Sequence, residues 1–250
     1  MSEFDDIKTA YDTFAASGDW GTVTYGLIYT CNAGWLDLGH LNPHSTRPMI
    51  GAANLWAAIR AEGLPAFRDN QRGFLVRFRM DHGGIPGRPG VERHYVVKFG
   101  LTDGQKRSAA LSIFMDVSIH FEGFQGYAFW KDSNFSQEDL VSNLIGFYIA
   151  VGAMTKAEAI RIAHPVSRTT AEAMWHRHGA VGATKNRTFR PHILETGRDD
   201  PILQQCIDEC AGQPRAFPSQ FQTIPPAGNT VVNLLGGAKN PVSGHATFPL

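Results

Sequence analysis

Charge is scarce in this chain, and neither sign prevails. Charged residues make up 18% of its 250 residues, where a soluble domain usually carries about a quarter. The 23 Lys and Arg match the 23 Asp and Glu, so no net field draws the chain to nucleic acid or to an anionic membrane surface. Cysteine is scarce too. Cys31, Cys206 and Cys210 are few and odd in number, which argues against a disulfide framework. Cys206 and Cys210 are four apart on one face of an expected helix. They have the spacing to bridge or to share a metal, and read first as two buried thiols. No apolar run approaches the ~20 residues that span a bilayer. The opening MSEFDDIKTAYDTF is acidic and lacks the basic start and apolar stretch of a secretory signal. The expectation is a chain made in the cytoplasm with no membrane span; a dedicated export machine would leave no such mark. P-loop, dinucleotide, HExxH, CxxC and GxSxG patterns are all missing.

What is present is a sizeable apolar fraction, 43%, punctuated by 26 Gly and 14 Pro. One domain over residues 1–250 is expected, irregular from about residue 212 apart from a short strand at Thr230–Leu235. Phe4, Ile7, Tyr11 and Phe14 recur at helical spacing over residues 4–16. Thr22–Cys31 is β-branched and aromatic and reads as a strand; residues 50–62 read as a helix. Phe74, Val76 and Phe78 alternate with Arg77 and Arg79 in Gly73–Met80, the pattern of a half-exposed strand. DHGGIPGRPG, residues 81–90, is a loop by composition, and His94–Leu101 reads as the returning antiparallel strand. Helices are expected over Thr102–Phe121, Ser136–Ala153, Thr155–His164, Thr169–His178 and Pro201–Ala211. His176 and His178 read as the basic end of their helix. Strands early and helices late predict an α+β fold, a small antiparallel sheet packed with a mainly helical second half.

Three segments place polar chemistry in apolar settings. In YTCNAGWLDLGHLNP, Asp37 and His40 lie three apart among Trp35, Leu36, Leu38 and Leu41. An Asp that orients a His is a common arrangement in catalytic and metal sites. The plain alternative is an Asp37 turn cap beside a satisfied core His40. In SIHFEGFQG, helical spacing puts Leu111, Met115, Ser118, Glu122 and Gln125 on one stripe. Glu122 sits between Phe121 and Phe124, where desolvation suits a general acid or base; alternatively it faces solvent before a Gly123 helix stop. In SNFSQEDLVSNLIGFY, Ser136 and Asp139 fit a capping box. Glu138 with Ser142, and Asp139 with Asn143, form two polar columns entering an apolar helix, which predicts an inward-facing network.

Two of these motifs carry a resemblance. GWLDLGHLNP resembles the GFIDxAHxR stretch of the bacterial domain of unknown function 4056, and SNFSQEDLVSNLIGFYIA resembles its SxFSPEDLYSNLLGxxxA stretch. SIHFEGFQG takes the place of a family helix with a His-Glu doublet, here split as His120, Phe121 and Glu122. Similar patterns look like those of bacterial toxin and effector domains. The resemblance covers roughly residues 25–150 and implies a shared site at His40, Glu122 and Glu138/Asp139 without naming a reaction.

These observations predict a bacterial hydrolase acting on cell-envelope polymer, with peptidoglycan as the first substrate and an effector role as an extension. Glu122 is the expected general acid or base, Glu138 or Asp139 a second carboxylate, and His40 an assistant oriented by Asp37. Gln125, Ser142 and Asn143 position substrate; Trp130, Tyr127 and Trp35 are aromatic candidates for stacking on sugars. Such a chain needs no cofactor and meets an immunity or secretion partner. The alternative is a zinc amidase or peptidase with His40, His120, Glu122 and Asp139 as ligands. Cys31 with a distant His would be a thiol hydrolase pair, with no local signature behind it. A third reading is a binding module whose polar network only specifies the fold.

Overall fold

The computed structural model describes residues 2–68, 71–81, 89–127, 134–194, 201–225, 227 and 230–233. The fold is α+β. The chain groups into two compact units, Met1–Asn42 with Trp130–Phe221, and Pro43–Phe129 with Gln222–Leu250.

The first unit wraps helices around a two-stranded hairpin. Helix α1 (Phe4–Ser17) ends at Gly18, whose left-handed backbone lets its N–H reach the Phe14 carbonyl at 2.7 Å. Strands β1 (Leu27–Thr30) and β2 (Gly34–Asp37) pair antiparallel, Leu27 opposite Asp37 and Thr30 opposite Gly34. The strand expected from Thr22 is shorter: Trp20–Thr22 forms a 3-10 turn, and β2 arises where no strand was expected. Gly34 makes the hairpin feasible. Its φ is +64°, and a Cβ there would meet the His192 carbonyl oxygen at 2.5 Å. Both strands are buried at nearly every position, so no alternation of apolar and polar residues marks them.

Tyr29 and Trp35 meet edge to face across the hairpin at 5.1 Å, and Trp175 meets Trp35 at 6.0 Å. Ile7, Ile28, Leu36, Val141, Ile145 and Ile160 pack into the same core. These side chains come from α1, the hairpin, α4 (Asp139–Ala150) and α5 (Lys156–Ala163). Helices α6 (Arg168–His178) and α7 (Pro201–Glu209) add Ala171, Met174 and Cys206. Thr155 caps α5 in a full capping box with Glu158. His176, Arg177 and His178 form the basic last turn of α6, as expected.

The cysteine expectation is corrected. Cys31, at the end of β1, is bonded to Cys210, just beyond α7, across 179 positions of sequence, and Cys206 remains a buried free thiol. Cys210 pairs with a distant residue because the fold, not helical spacing, sets its neighbour. The bond also removes Cys31 as a thiol nucleophile.

The second unit is a four-stranded antiparallel sheet with two helices. The strand order is β3 (Pro65–Arg68), β4 (Gln71–Asp81), β5 (Gly90–Lys98), β6 (Val231–Asn233). Phe74, Val76 and Phe78 are buried while Arg77 is exposed, the face assignment the alternation predicts. The β4–β5 pairing follows the expected return, and β6 falls within the predicted late strand. Most of the glycine-rich loop between β4 and β5 lies outside the described residues. Helices α2 (Ala52–Ala61) and α3 (Asp103–Tyr127) pack with this sheet. Arg47 grips Asp81 with two bonds at 2.7 and 2.9 Å, and Arg79 adds a third at 3.1 Å. Burial pushes the Asp81 carboxyl up, but the two guanidinium groups outweigh it and hold it below the usual range.

Candidate active site

Helix α4 starts later than its sequence pattern suggests. Ser136 makes an isolated antiparallel bridge with Lys185, residues 137–138 form a turn, and the first helical residue is Asp139. The Asp139 carboxylate reaches back to accept the Ser136 N–H at 2.9 Å. This is the acid's half of the expected capping box. The turn leaves Glu138 in a helical backbone conformation at the helix mouth, 1% exposed.

The Glu138 carboxyl group is strongly perturbed. Burial first, and then the neighbouring Asp139, push it up to about 8; its own backbone N–H, Ser2 and His40 pull the other way. Ser2 donates to Glu138 Oε1 at 3.0 Å and lies 3.4 Å from Asp37 Oδ2. Glu138 Oε2 is buried without a hydrogen-bond partner among the described residues. A carboxyl group in that setting keeps its proton at neutral pH.

His40 Nδ1 lies 3.5 Å from Asp139 Oδ1, the imidazole 40% exposed and the carboxylate 9%. So Asp139, not Asp37, faces the imidazole. The Asp37 carboxylate instead accepts the N–H groups of Gly39 at 2.6 Å and His40 at 3.2 Å, the turn-capping role that was the plain alternative. Ser142 explains its own place in an apolar helix: its hydroxyl oxygen accepts the Asp37 N–H at 2.9 Å and fastens α4 to the end of β2. Asn143 is buried one position further on. Gly146 completes the fastening. A Cβ there would meet the His40 carbonyl oxygen at 2.6 Å, so only glycine lets α4 lie this close to the His40 turn.

Two residues outside the sequence reading join the cluster. Lys156 Nζ donates to the carbonyls of Val23 at 2.5 Å and Leu38 at 3.1 Å. Burial pushes its ammonium down to about 8 against the pull of Asp37. Ser2 is the other. Neither has a sequence signal beyond the Thr155–Glu158 capping box, which fixes where α5 starts and thereby aims Lys156.

Glu122, Gln125 and His120 belong to the second unit. Leu111, Met115, Ser118, Glu122 and Gln125 are all buried along α3, as the stripe predicts. The helix continues through Gly123 to Tyr127, so the solvent-facing alternative for Glu122 is wrong. His120 donates from Nδ1 to the Asp116 carbonyl at 2.7 Å. Asp116 also takes the Tyr95 hydroxyl at 2.5 Å. The zinc set is thus divided between the two units, and no group of three or more His, Cys, Asp or Glu among the described residues is gathered to hold a metal. Of the aromatic candidates, Trp35 is corrected to a core residue, 1% exposed. Trp130 and the Tyr127 side chain lie outside the described residues.

No helix among the described residues is long and apolar enough to cross a membrane. Compared with protein-family models, curated proteins and solved structures, the chain matches none.

Proposed function

We propose that this chain is a hydrolase acting on the polymer of the bacterial cell envelope, with peptidoglycan as substrate and the glycosidic bond as the bond cleaved. The observation that carries the reading is Glu138, a buried acid that holds its proton to about pH 8 beside the His40–Asp139 pair. Glycoside cleavage needs one carboxyl group protonated and a second ionised at the same pH, and environment is what separates two chemically similar groups. Glu138 takes the acid role first assigned to Glu122 and protonates the leaving oxygen. Asp139, paired with the half-exposed His40, supplies the second carboxyl group, which activates water or attacks the sugar. Ser2, which covers Oε1, moves aside as substrate enters.

The Cys31–Cys210 bond supports a chain that works after export, since disulfides persist in oxidising compartments. An effector delivered to the envelope fits that chemistry and the resemblance to toxin and effector domains.

The test is digestion of purified sacculi. Wild-type protein is expected to release fragments with new reducing ends. Glu138→Gln is expected to lose ~100-fold or more of the rate, the scale of general acid catalysis, with its circular dichroism unchanged. New amino termini without reducing ends would point to an amidase, and undiminished turnover in Glu138→Gln would remove the acid assigned here.

A further inference from the structure

A second concave site lies in the first unit, beyond the C-terminal end of α5. It is a cavity of ≈620 Å3, within the usual range for small-molecule sites. Its lining is rich in donors and holds no Asp or Glu. Arg161 and His164 contribute the two groups able to carry positive charge. Among the described residues neither side chain makes a hydrogen bond or ion pair; Glu158, one turn before Arg161, adds only a field.

The rest of the lining is fixed in place. Asn32 is buried; its amide donates to the Ile162 carbonyl and to Gln213 Oε1, both at 3.2 Å, and its Oδ1 accepts the Arg215 N–H at 3.2 Å. Holding Gln213 by its oxygen turns its NH2 into a spare donor. Phe217 supplies an apolar wall, braced by Phe221 at 5.4 Å between ring centres. The Cys31–Cys210 bond anchors this frame, since Asn32 follows Cys31 and Gln213 lies three beyond Cys210.

A guanidinium that makes no hydrogen bond among the described residues, an amide donor and an aromatic wall are complementary to a ring that bears a carboxylate. We propose that this cavity is a binding subsite for a carboxylate-bearing sugar, with Arg161 taking the carboxylate and Phe217 the sugar face. It deepens the hydrolase reading and rests on it for the source of the ligand, because the acidic sugar of peptidoglycan carries a free carboxylate wherever its stem peptide has been removed.

Calorimetric titration of the intact protein tests the subsite. The probes are N-acetylmuramic acid, N-acetylglucosamine, which lacks the carboxylate, and inorganic phosphate. Expected is binding of the acidic sugar at least ~10-fold tighter than the neutral one, the loss of one charge-assisted contact being worth about that factor. Arg161→Gln, an exposed position, is expected to erase the difference while leaving the melting temperature unchanged. Glu138→Gln is expected to bind the acidic sugar as the wild type does. The proposal is overturned if neither sugar binds, if Arg161→Gln binds the acid equally well, or if phosphate binds as tightly as the acidic sugar, which would make this an anion hole without a sugar. Cleavage of sacculi without acidic-sugar binding would reject the subsite alone. Binding without cleavage would reject the hydrolase alone.

Discussion

Glu138 and Lys156 sit in one unit with ionisation displaced in opposite directions, and both displacements converge on about pH 8. Their effects on stability differ in sign. Below pH 4.5 Glu138 is protonated whether folded or unfolded. Between 4.5 and about 8 only the unfolded chain ionises, so the folded state loses ground as pH rises, and above 8 the loss stays constant. Lys156 behaves in reverse. Its folded pKa is depressed, so stability is lost as pH falls from 10.5 to about 8. Melting temperature is therefore expected to fall from pH 4.5 to 8 through Glu138, and Lys156 is expected to raise it from 8 to 10.5. Glu138→Gln removes the first limb. The variant's gain in melting temperature over wild type is expected to be near zero at pH 4.5 and largest above pH 8; an equal gain at both would mean that Glu138 is not displaced. Ser2 offers a finer test. Its hydroxyl favours the ionised Glu138, so Ser2→Ala is expected to move the alkaline fall in activity to higher pH, and Asp139→Asn to move the upper end of the Glu138 stability limb to lower pH. At this scale the sequence showed which residues are polar in apolar company, and it singled out His40, Glu138, Asp139 and Ser142. It did not show the pairing. Asp37 is three positions from His40, but a turn makes its carboxylate point at backbone N–H groups, while the imidazole meets a carboxylate far along the chain.

Helix α4 places two carboxyl groups, Ser142 and Gly146 against the β1–β2 hairpin and the turn that follows it. Gly146 is the most sensitive point. In a helix interior glycine costs about 1 kcal/mol relative to alanine, so Gly146→Ala would stabilise an isolated helix. Here the methyl would have to displace the His40 carbonyl and the Leu41 backbone. Gly146→Ala is expected to lower the melting temperature and weaken activity together; a neutral or raised melting temperature would show that α4 does not lie this close. The apolar periodicity of α1 made that helix legible, and α5 and α6 fall close to the helices expected over Thr155–His164 and Thr169–His178. Strand β2 was not legible, because a four-residue strand buried on both faces has no alternation and follows a glycine turn. The start of α4 was misplaced for a related reason. Ser136–Glu138 have good capping chemistry, and the chain uses it to build a turn before the helix proper.

On the scale of the whole molecule, the largest departure from expectation is the disulfide. Three cysteines in a chain of this size argued for thiols, and nothing local marks Cys31 and Cys210 as partners. The contact comes from packing α7 against the hairpin unit. Closing a loop of that length stabilises by about 5 kcal/mol in the chain-entropy picture. Reduction is expected to lower the melting temperature by several degrees and to promote cleavage by protease in the first unit. No change on reduction would mean that the bond does not form. The same bond frames the proposed sugar subsite, so reduction is also expected to weaken binding of the acidic sugar. The α+β class was legible from early strands and late helices. The division into two units was not, since the second unit borrows its last strand from the end of the chain.

The most direct test of the account is the pH dependence of sacculus digestion by wild-type protein and Glu138→Gln. The wild-type rate is expected to fall as pH rises through about 8, when Glu138 gives up its proton, and the variant to be nearly inactive at every pH while remaining folded. A variant that digests sacculi at the wild-type rate, with the same alkaline fall, would contradict it.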